Sequence, residues 1–288
     1  MFALVQRNIK IYFSNIPGVI MSCFGALISF FIYVGFLQKN LESSWPQIAN
    51  VKQMLDLWMM AGIVAIAGIT TSFQALGQLV KDRETRTADD MCLTDLSLSE
   101  QNLAYVLSSS IISFLMQIIT FVVMDVYFTA VDKINISLEN SLLALIFMAL
   151  GAVGATLLNE IIVLFIHSST TFSRLSAVIG AIAGFAVATY LPYGTLSSTA
   201  QTLVKLVPSS YEASALRSLF LNKISENQMP ASVRSTMVNY LGIHFKINGY
   251  QLTRADTGYV MVGMILILSL VIILASLAIG KRKVQVEG

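Results

Sequence analysis

Charge is what this chain has least of. Only 12% of its 288 residues are charged and 56% are hydrophobic, whereas a soluble domain carries about 25% charged residues. That deficit excludes an ordinary soluble fold and places the chain among membrane proteins. The formal net charge of +2 is too small for the basic surface that nucleic-acid binding demands. Two cysteines, Cys23 in an apolar run and Cys92 in a charged stretch, make a poor disulfide pair. With two histidines, His167 and His244, and neither HExxH nor CxxC, no metal site is expected. The GxxxxGK[ST] phosphate loop is missing too, so the chain does not itself bind ATP in the P-loop manner. His167 follows no recognisable nucleophile motif, and the chain is not expected to be an enzyme.

What is present is apolar length. A helix needs about 20 mostly apolar residues to cross the hydrocarbon core, and runs of that size lie near 18–37, 56–79, 103–129, 139–167, 174–192 and 257–280. The expected fold is all-α: one polytopic domain over 1–288, with six transmembrane helices. Pro17 suits the first turn of span one, where a missing N–H costs nothing. Spans three and four exceed the core and must tilt, break or extend into water. The N-terminus superficially resembles a secretory signal, but the run to Leu37 is too long and has no small-residue cleavage site.

Ahead of span one, Phe2, Val5, Ile9 and Phe13 fall near one helical face and Gln6, Arg7 and Lys10 near the other. That pattern reads as a helix lying in the membrane interface over 1–16, basic side toward headgroups; the alternative is a plain extension of span one. Short flanks on one side hold Arg7, Lys10, Lys81, Arg83, Arg86, Arg174, Lys281, Arg282 and Lys283, against Lys39, Lys52 and Lys133 on the other. Both termini are therefore expected in the cytoplasm, with 193–256 external. Within that external segment, amphipathic helices are expected after Pro208 and after Pro230, the latter stopped at Gly242. Dipping into the membrane, capping a cavity and packing on the surface all remain open for them.

Residues 81–100, KDRETRTADDMCLTDLSLSE, hold nine charges: Lys81, Arg83 and Arg86 among Asp82, Glu84, Asp89, Asp90, Asp95 and Glu100. Such density cannot sit in lipid, and mixed signs suit a fitted contact better than attraction to a membrane. The bland alternative is a solvated loop. Inside the spans, Glu160 and Asp125 are the candidate functional polar residues, because ionisable groups are costly there. Glu160 and His167, seven apart, would share a helical face and could form a proton relay. Otherwise Asp125 reaches the outer headgroups, and Glu160 pairs with a neighbouring helix or faces an aqueous cavity. Gly180 and Gly184, with Gly151 and Gly154, point to close helix packing in a bundle or a dimer.

Taken in order, a basic interfacial helix, six spans, a charged first cytoplasmic loop and a helical segment before span six resemble the permease (transmembrane) subunit of an ATP-binding-cassette (ABC) exporter. The nearer resemblance is to the type-2 exporter permeases, which include bacterial drug, antibiotic and polysaccharide exporters. RNIKIYFSNIPGVIMS at 7–22 is similar to the family's basic elbow. In KDRETRTADDMCLTDLSLSEQNLAYVLSS at 81–109, Asp82-Arg83-Glu84 and then Leu93-Thr94-Asp95-Leu96-Ser97 resemble its charged segment and the turn before span three. Asp95 stands where relatives often have proline, and Arg86 where glycine is common.

The resemblance implies an elbow helix at 1–16 and a coupling loop at 81–100 that docks on a separate cassette ATPase. Met91, Leu93, Leu96 and Leu98 would anchor that contact, and Arg83, Glu84, Asp89 and Asp90 would set its register. It also implies a second permease half, as homodimer or heterodimer. No cofactor is expected in this chain; ATP and Mg belong to the partner subunits. The implied role is to form the path for a hydrophobic or amphipathic substrate (drug, antibiotic, peptide or lipid) across the bacterial cytoplasmic membrane. Two other readings stay open. One is a proton-coupled secondary transporter using Glu160, although no inverted repeat of broken spans is evident. The other is a non-transporting immunity or sensor protein.

Overall fold

Long apolar segments fold as helices because backbone groups in lipid must satisfy one another, and the computed structural model of the chain is helical almost throughout. It describes residues 1–46, 48, 50–91, 93, 96–134, 136–221, 231–247 and 249–286.

The first helix, α1 (Phe2–Ser14), buries Leu4, Val5 and Asn8. It stops at Asn15, whose side chain accepts the Gly18 N–H at 3.2 Å and so opens α2 (Ile16–Ser22), with Pro17 in the first turn as expected. Ser22 then competes with the helix backbone: its hydroxyl bonds the Val19 carbonyl and the Tyr12 hydroxyl, each at 2.6 Å. The chain restarts as α3 (Phe24–Ile32), a π turn (Tyr33–Leu37) and α4 (Gln38–Ser43). The first membrane-length stretch is accordingly Phe24–Ser43, displaced from the predicted 18–37.

The axis of the bundle is α5 (Val51–Glu84). Its apolar stretch is wholly buried beneath α3, α7 (Leu98–Asp132), α8 (Leu138–Val163), α9 (Ser169–Ala186) and α11 (Pro208–Phe220). A helix apolar on every side has nowhere stable except the centre. By length and composition, five helices among the described residues can cross a membrane: Phe24–Ser43, Val51–Glu84, Ser99–Asp132, Leu138–Val163 and Arg254–Ala275. The chain is therefore all-α and polytopic.

The remaining predicted span, 174–192, is not among the five. Its helix, α9, has 18 residues, about 27 Å at 1.5 Å per residue, and contains Arg174 after a Ser/Thr-rich first turn. Past its end, Ala188 adopts a left-handed φ of 49°, and the Thr189 and Tyr190 N–H groups both turn back to the Gly184 carbonyl. Span four is also shorter than predicted. Because α8 ends at Val163, His167 lies exposed beyond it and does not share a helical face with Glu160.

Between α9 and the last helix come α10 (Ser198–Lys205), α11, α12 (Ala231–Leu241), the hairpin β1 (Lys246–Ile247) and β2 (Tyr250–Gln251), and then α13 (Arg254–Val286). Both proline-led helices exist, and Gly242 ends α12 with the left-handed φ of 64° that favours glycine. Of the placements open for the helix after Pro208, packing on the surface is excluded. All thirteen residues of α11 are buried, against α5, α8 and α13. Ser209, Ser210, Ala213, Ser214, Ala215 and Ser218 keep much of its circumference thin, so neighbouring helices pack close to it.

Arg217 is fully buried in that helix. Its guanidinium lies 4.9 Å from the centre of the Trp58 ring. It donates to the carbonyls of Val187 (3.2 Å) and Ala188 (3.1 Å), to the Thr189 hydroxyl (3.1 Å) and, at 3.4 Å, to the Leu241 carbonyl. Those carbonyls close the C-termini of α9 and α12, where helix dipoles concentrate negative charge. Backbone dipoles thus stand in for a counter-ion.

Candidate functional site

Residues 81–100 are not one loop. The stretch Lys81–Glu84 is the last turn of α5; a turn at Thr85 and Arg86 leads to α6 (Thr87–Met91), and α7 begins at Leu98. Arg86 has a left-handed φ of 60°, a conformation that glycine adopts more readily than a residue with a side chain. Glu100 closes a capping box with Ser97: its carboxylate accepts the Ser97 N–H at 2.9 Å while its own N–H reaches the Ser97 hydroxyl.

Asp82 is buried and tied to three helices. Arg7 of α1 grips its two oxygens at 2.8 and 3.0 Å, the Tyr105 hydroxyl of α7 donates at 2.6 Å, and Gln78, one turn earlier on α5, donates at 2.7 Å. Beside this knot, Asn8 donates to the Ser108 hydroxyl at 3.2 Å. The sequence reading sent Arg7 toward lipid headgroups; the structure corrects that, because a buried carboxylate draws the guanidinium inward. Lys10 remains exposed.

Two of the predicted register charges are also engaged within the chain. Glu84 accepts from the backbone N–H and the hydroxyl of Ser169, at the start of α9, where an acidic group is favoured. Arg83 is half-buried and reaches the Val163 carbonyl at the end of α8. Asp89, Asp90, Arg86 and Leu93 remain exposed on and around α6, Leu93 by 88%. Met91 packs against the core and its sulfur lies 3.9 Å from the Tyr105 hydroxyl; Leu96 is half-buried. Cys92, Thr94 and Asp95 lie outside the described residues.

A second polar group occupies the bundle interior. Asn159 of α8 donates to the Ile69 carbonyl and the Ser72 hydroxyl of α5 (2.9 and 2.8 Å), and Ser113 of α7 donates to the Gly68 carbonyl at 2.9 Å. With its amide oriented to suit its surroundings, Gln117 of α7 donates to the Met148 carbonyl and to Oε1 of Glu212, both at 3.0 Å. Glycines make the room: a Cβ at Gly68 would collide with Gln117, and one at Gly151 with the Glu212 carboxylate. Glu212 Oε2 has no partner.

Glu160, one residue on from Asn159, is 1% exposed. Neither of its oxygens accepts a hydrogen bond, although Arg83 stands within electrostatic reach. Asp125 is half-buried on α7, about 40 Å along that helix from its start at 1.5 Å per residue. Since α7 starts beside the end of α5 that carries Arg83, Glu160 and Asp125 belong to opposite ends of the bundle and form no relay with each other.

Sequence reasoning missed Glu212, Arg217 and Asp82 as buried groups. The available signal was the small-residue composition of 209–218, which leaves a helix no broad polar face. Searches against protein-family models, curated proteins and solved structures found no match to this chain.

Proposed function

We propose that this chain is the transmembrane subunit of an ATP-driven exporter of the type-2 ABC kind. In this reading it sits in a bacterial cytoplasmic membrane with α9 as the fifth of six crossings, and pairs with a second permease half. It takes its energy from separate cassette ATPase subunits that hold ATP and Mg. The observation that carries the proposal is the placement of α6. It is a short helix between the two longest helices, α5 and α7, with Arg86, Asp89, Asp90 and Leu93 turned outward and Met91 turned in. An element with charges to fix register, packed against α5 and preceding α7 in the chain, suits the transfer of a partner's movement into the bundle. The knot of Arg7, Asp82 and Tyr105 joins α1 to the same place, so the elbow helix would move with α5 and α7.

The contact surface in this proposal is narrower than the sequence implied: Asp89 and Asp90 set register, Leu93 anchors, and Arg83 and Glu84 tie the end of α5 to α8 and to the start of α9. The path would carry a hydrophobic or amphipathic substrate. Affinity purification of the chain from its native membrane tests the proposal: a co-purifying P-loop ATPase that is lost on Asp89→Lys/Asp90→Lys supports it, and a chain that purifies without any ATPase refutes it.

A specific observation favours a second reading, proton-coupled transport. Glu160 is buried, unpartnered and close to Arg83, as a carboxyl that exchanges protons would be. Flux that persists without ATP and collapses with the proton gradient, and that Glu160→Gln abolishes, would select this reading over the first.

A further inference from the structure

At the end of the bundle opposite α6, the turn Tyr193–Thr195, α10, the end of α12 and β1 surround an open cleft of about 360 Å³. Ligand pockets run from roughly 300 to 1,000 Å³, so the cleft fits a small polar molecule or a headgroup. Three nitrogen bases, Lys205, His244 and Lys246, line it, and no carboxylate does among the described residues. Asn239 adds an amide, and Tyr193 and Tyr240 add ring walls.

These walls are held from behind. Tyr193 packs on Phe245 with ring centres 5.0 Å apart, and Tyr240 packs on Trp45 at 5.7 Å. The Lys205 ammonium is fixed on the Lys246 carbonyl at 2.7 Å, which ties α10 to the hairpin across the cleft. Burial and then the charge of Arg254 beside it lower the proton affinity of His244, which leaves the two lysines as the cations of the lining. A cleft with two lysine ammoniums and no acid among its described lining residues is matched by a multiply charged oxyanion, which offers more acceptors than a carboxylate.

We propose that this cleft binds a phosphate-bearing polar group, with Lys205 and Lys246 pairing the phosphate and the two tyrosine rings flanking the organic part. The phosphate belongs to a lipid headgroup or to a soluble phosphate ester, and the experiment separates the two. The inference is independent of the exporter reading.

The full-length chain in phosphatidylcholine nanodiscs is titrated with glycerol 3-phosphate. In parallel, mixed nanodiscs measure its retention of phosphatidylglycerol by native mass spectrometry. Saturable glycerol 3-phosphate binding identifies a soluble ester, and selective retention of phosphatidylglycerol alone identifies a headgroup; either supports the proposal if Lys205→Gln/Lys246→Gln weakens it by about tenfold or more. Lys246→Gln alone, at an exposed side chain, decides the matter if the double variant fails to fold, with a weakening of about threefold or more expected. Wild-type protein that binds neither probe, or a folded variant that binds as wild type does, overturns the proposal.

Discussion

Asp82 and Glu160 are both carboxylates, 2% and 1% exposed, each near an arginine at the same end of the bundle, and the fold treats them in opposite ways. Asp82 accepts four hydrogen bonds from α1, α5 and α7; Glu160 accepts none. Buried polar groups are normally satisfied, and one that is not needs an explanation. Asp82 is therefore architecture: removing a partner strands a charge. Glu160 is a group the fold does not use for its own cohesion, which is why it stands as a functional candidate.

Four substitutions, taken in falling order of expected effect, probe how the fold uses its buried charged groups, and the last two bear on Asp82 and Glu160 themselves. Arg217→Met removes the cation at two helix C-termini and takes the guanidinium donor from the Val187 and Ala188 carbonyls, while the Leu241 carbonyl keeps the Trp58 indole N–H at 2.7 Å. We expect a loss of about 3 to 5 kcal/mol, seen in thermal unfolding of the purified chain in detergent; a loss under about 1 kcal/mol would contradict the dipole-pairing argument. Gly151→Ala drives a methyl into the Glu212 carboxylate and should cost about 2 kcal/mol. Adding Glu212→Ala should recover part of that loss in a double-mutant cycle, and strictly additive effects would remove the contact from the account.

Arg7→Ala breaks the Asp82 knot where the arginine side chain is still 34% exposed, so about 1 to 2 kcal/mol is expected. Asp82→Asn should abolish most of that sensitivity to position 7. Glu160→Gln should change stability by less than about 1 kcal/mol, since no hydrogen bond to the carboxylate is lost. A large destabilisation there would make Glu160 architectural too and erase the distinction.

Much of the frame was legible because bilayer length and hydropathy are strong signals. Four long helices, the proline at the start of α2 and the glycine stop of α12 stand within a few residues of the sequence reading. The losses have physical causes. The first span starts later than expected, after a break at Cys23 beside which Ser22 bonds to Tyr12, a contact that hydropathy alone does not encode. Serine and alanine in α11 read as moderately polar, yet their small size suits burial. The charge cluster at 81–100 was visible as density, but which members are engaged within the chain depended on partners 75 to 85 residues away in sequence, Arg7 for Asp82 and Ser169 for Glu84. Of the glycines expected to mediate packing, Gly180 of α9 lies against Gly25 of α3, and Gly154 and Gly151 meet Pro208 and Glu212 of α11.

The central claim is that α6 receives motion from a separate ATPase. ATP hydrolysis and substrate flux, measured together in proteoliposomes holding this chain and the ATPase that co-purifies with it, test that claim most directly. With Asp89→Lys/Asp90→Lys the expected result is a loss of flux of about tenfold or more, with hydrolysis either uncoupled from transport or reduced to that of the ATPase alone, while the chain itself stays folded. Wild-type flux and wild-type coupling in that folded variant would contradict it.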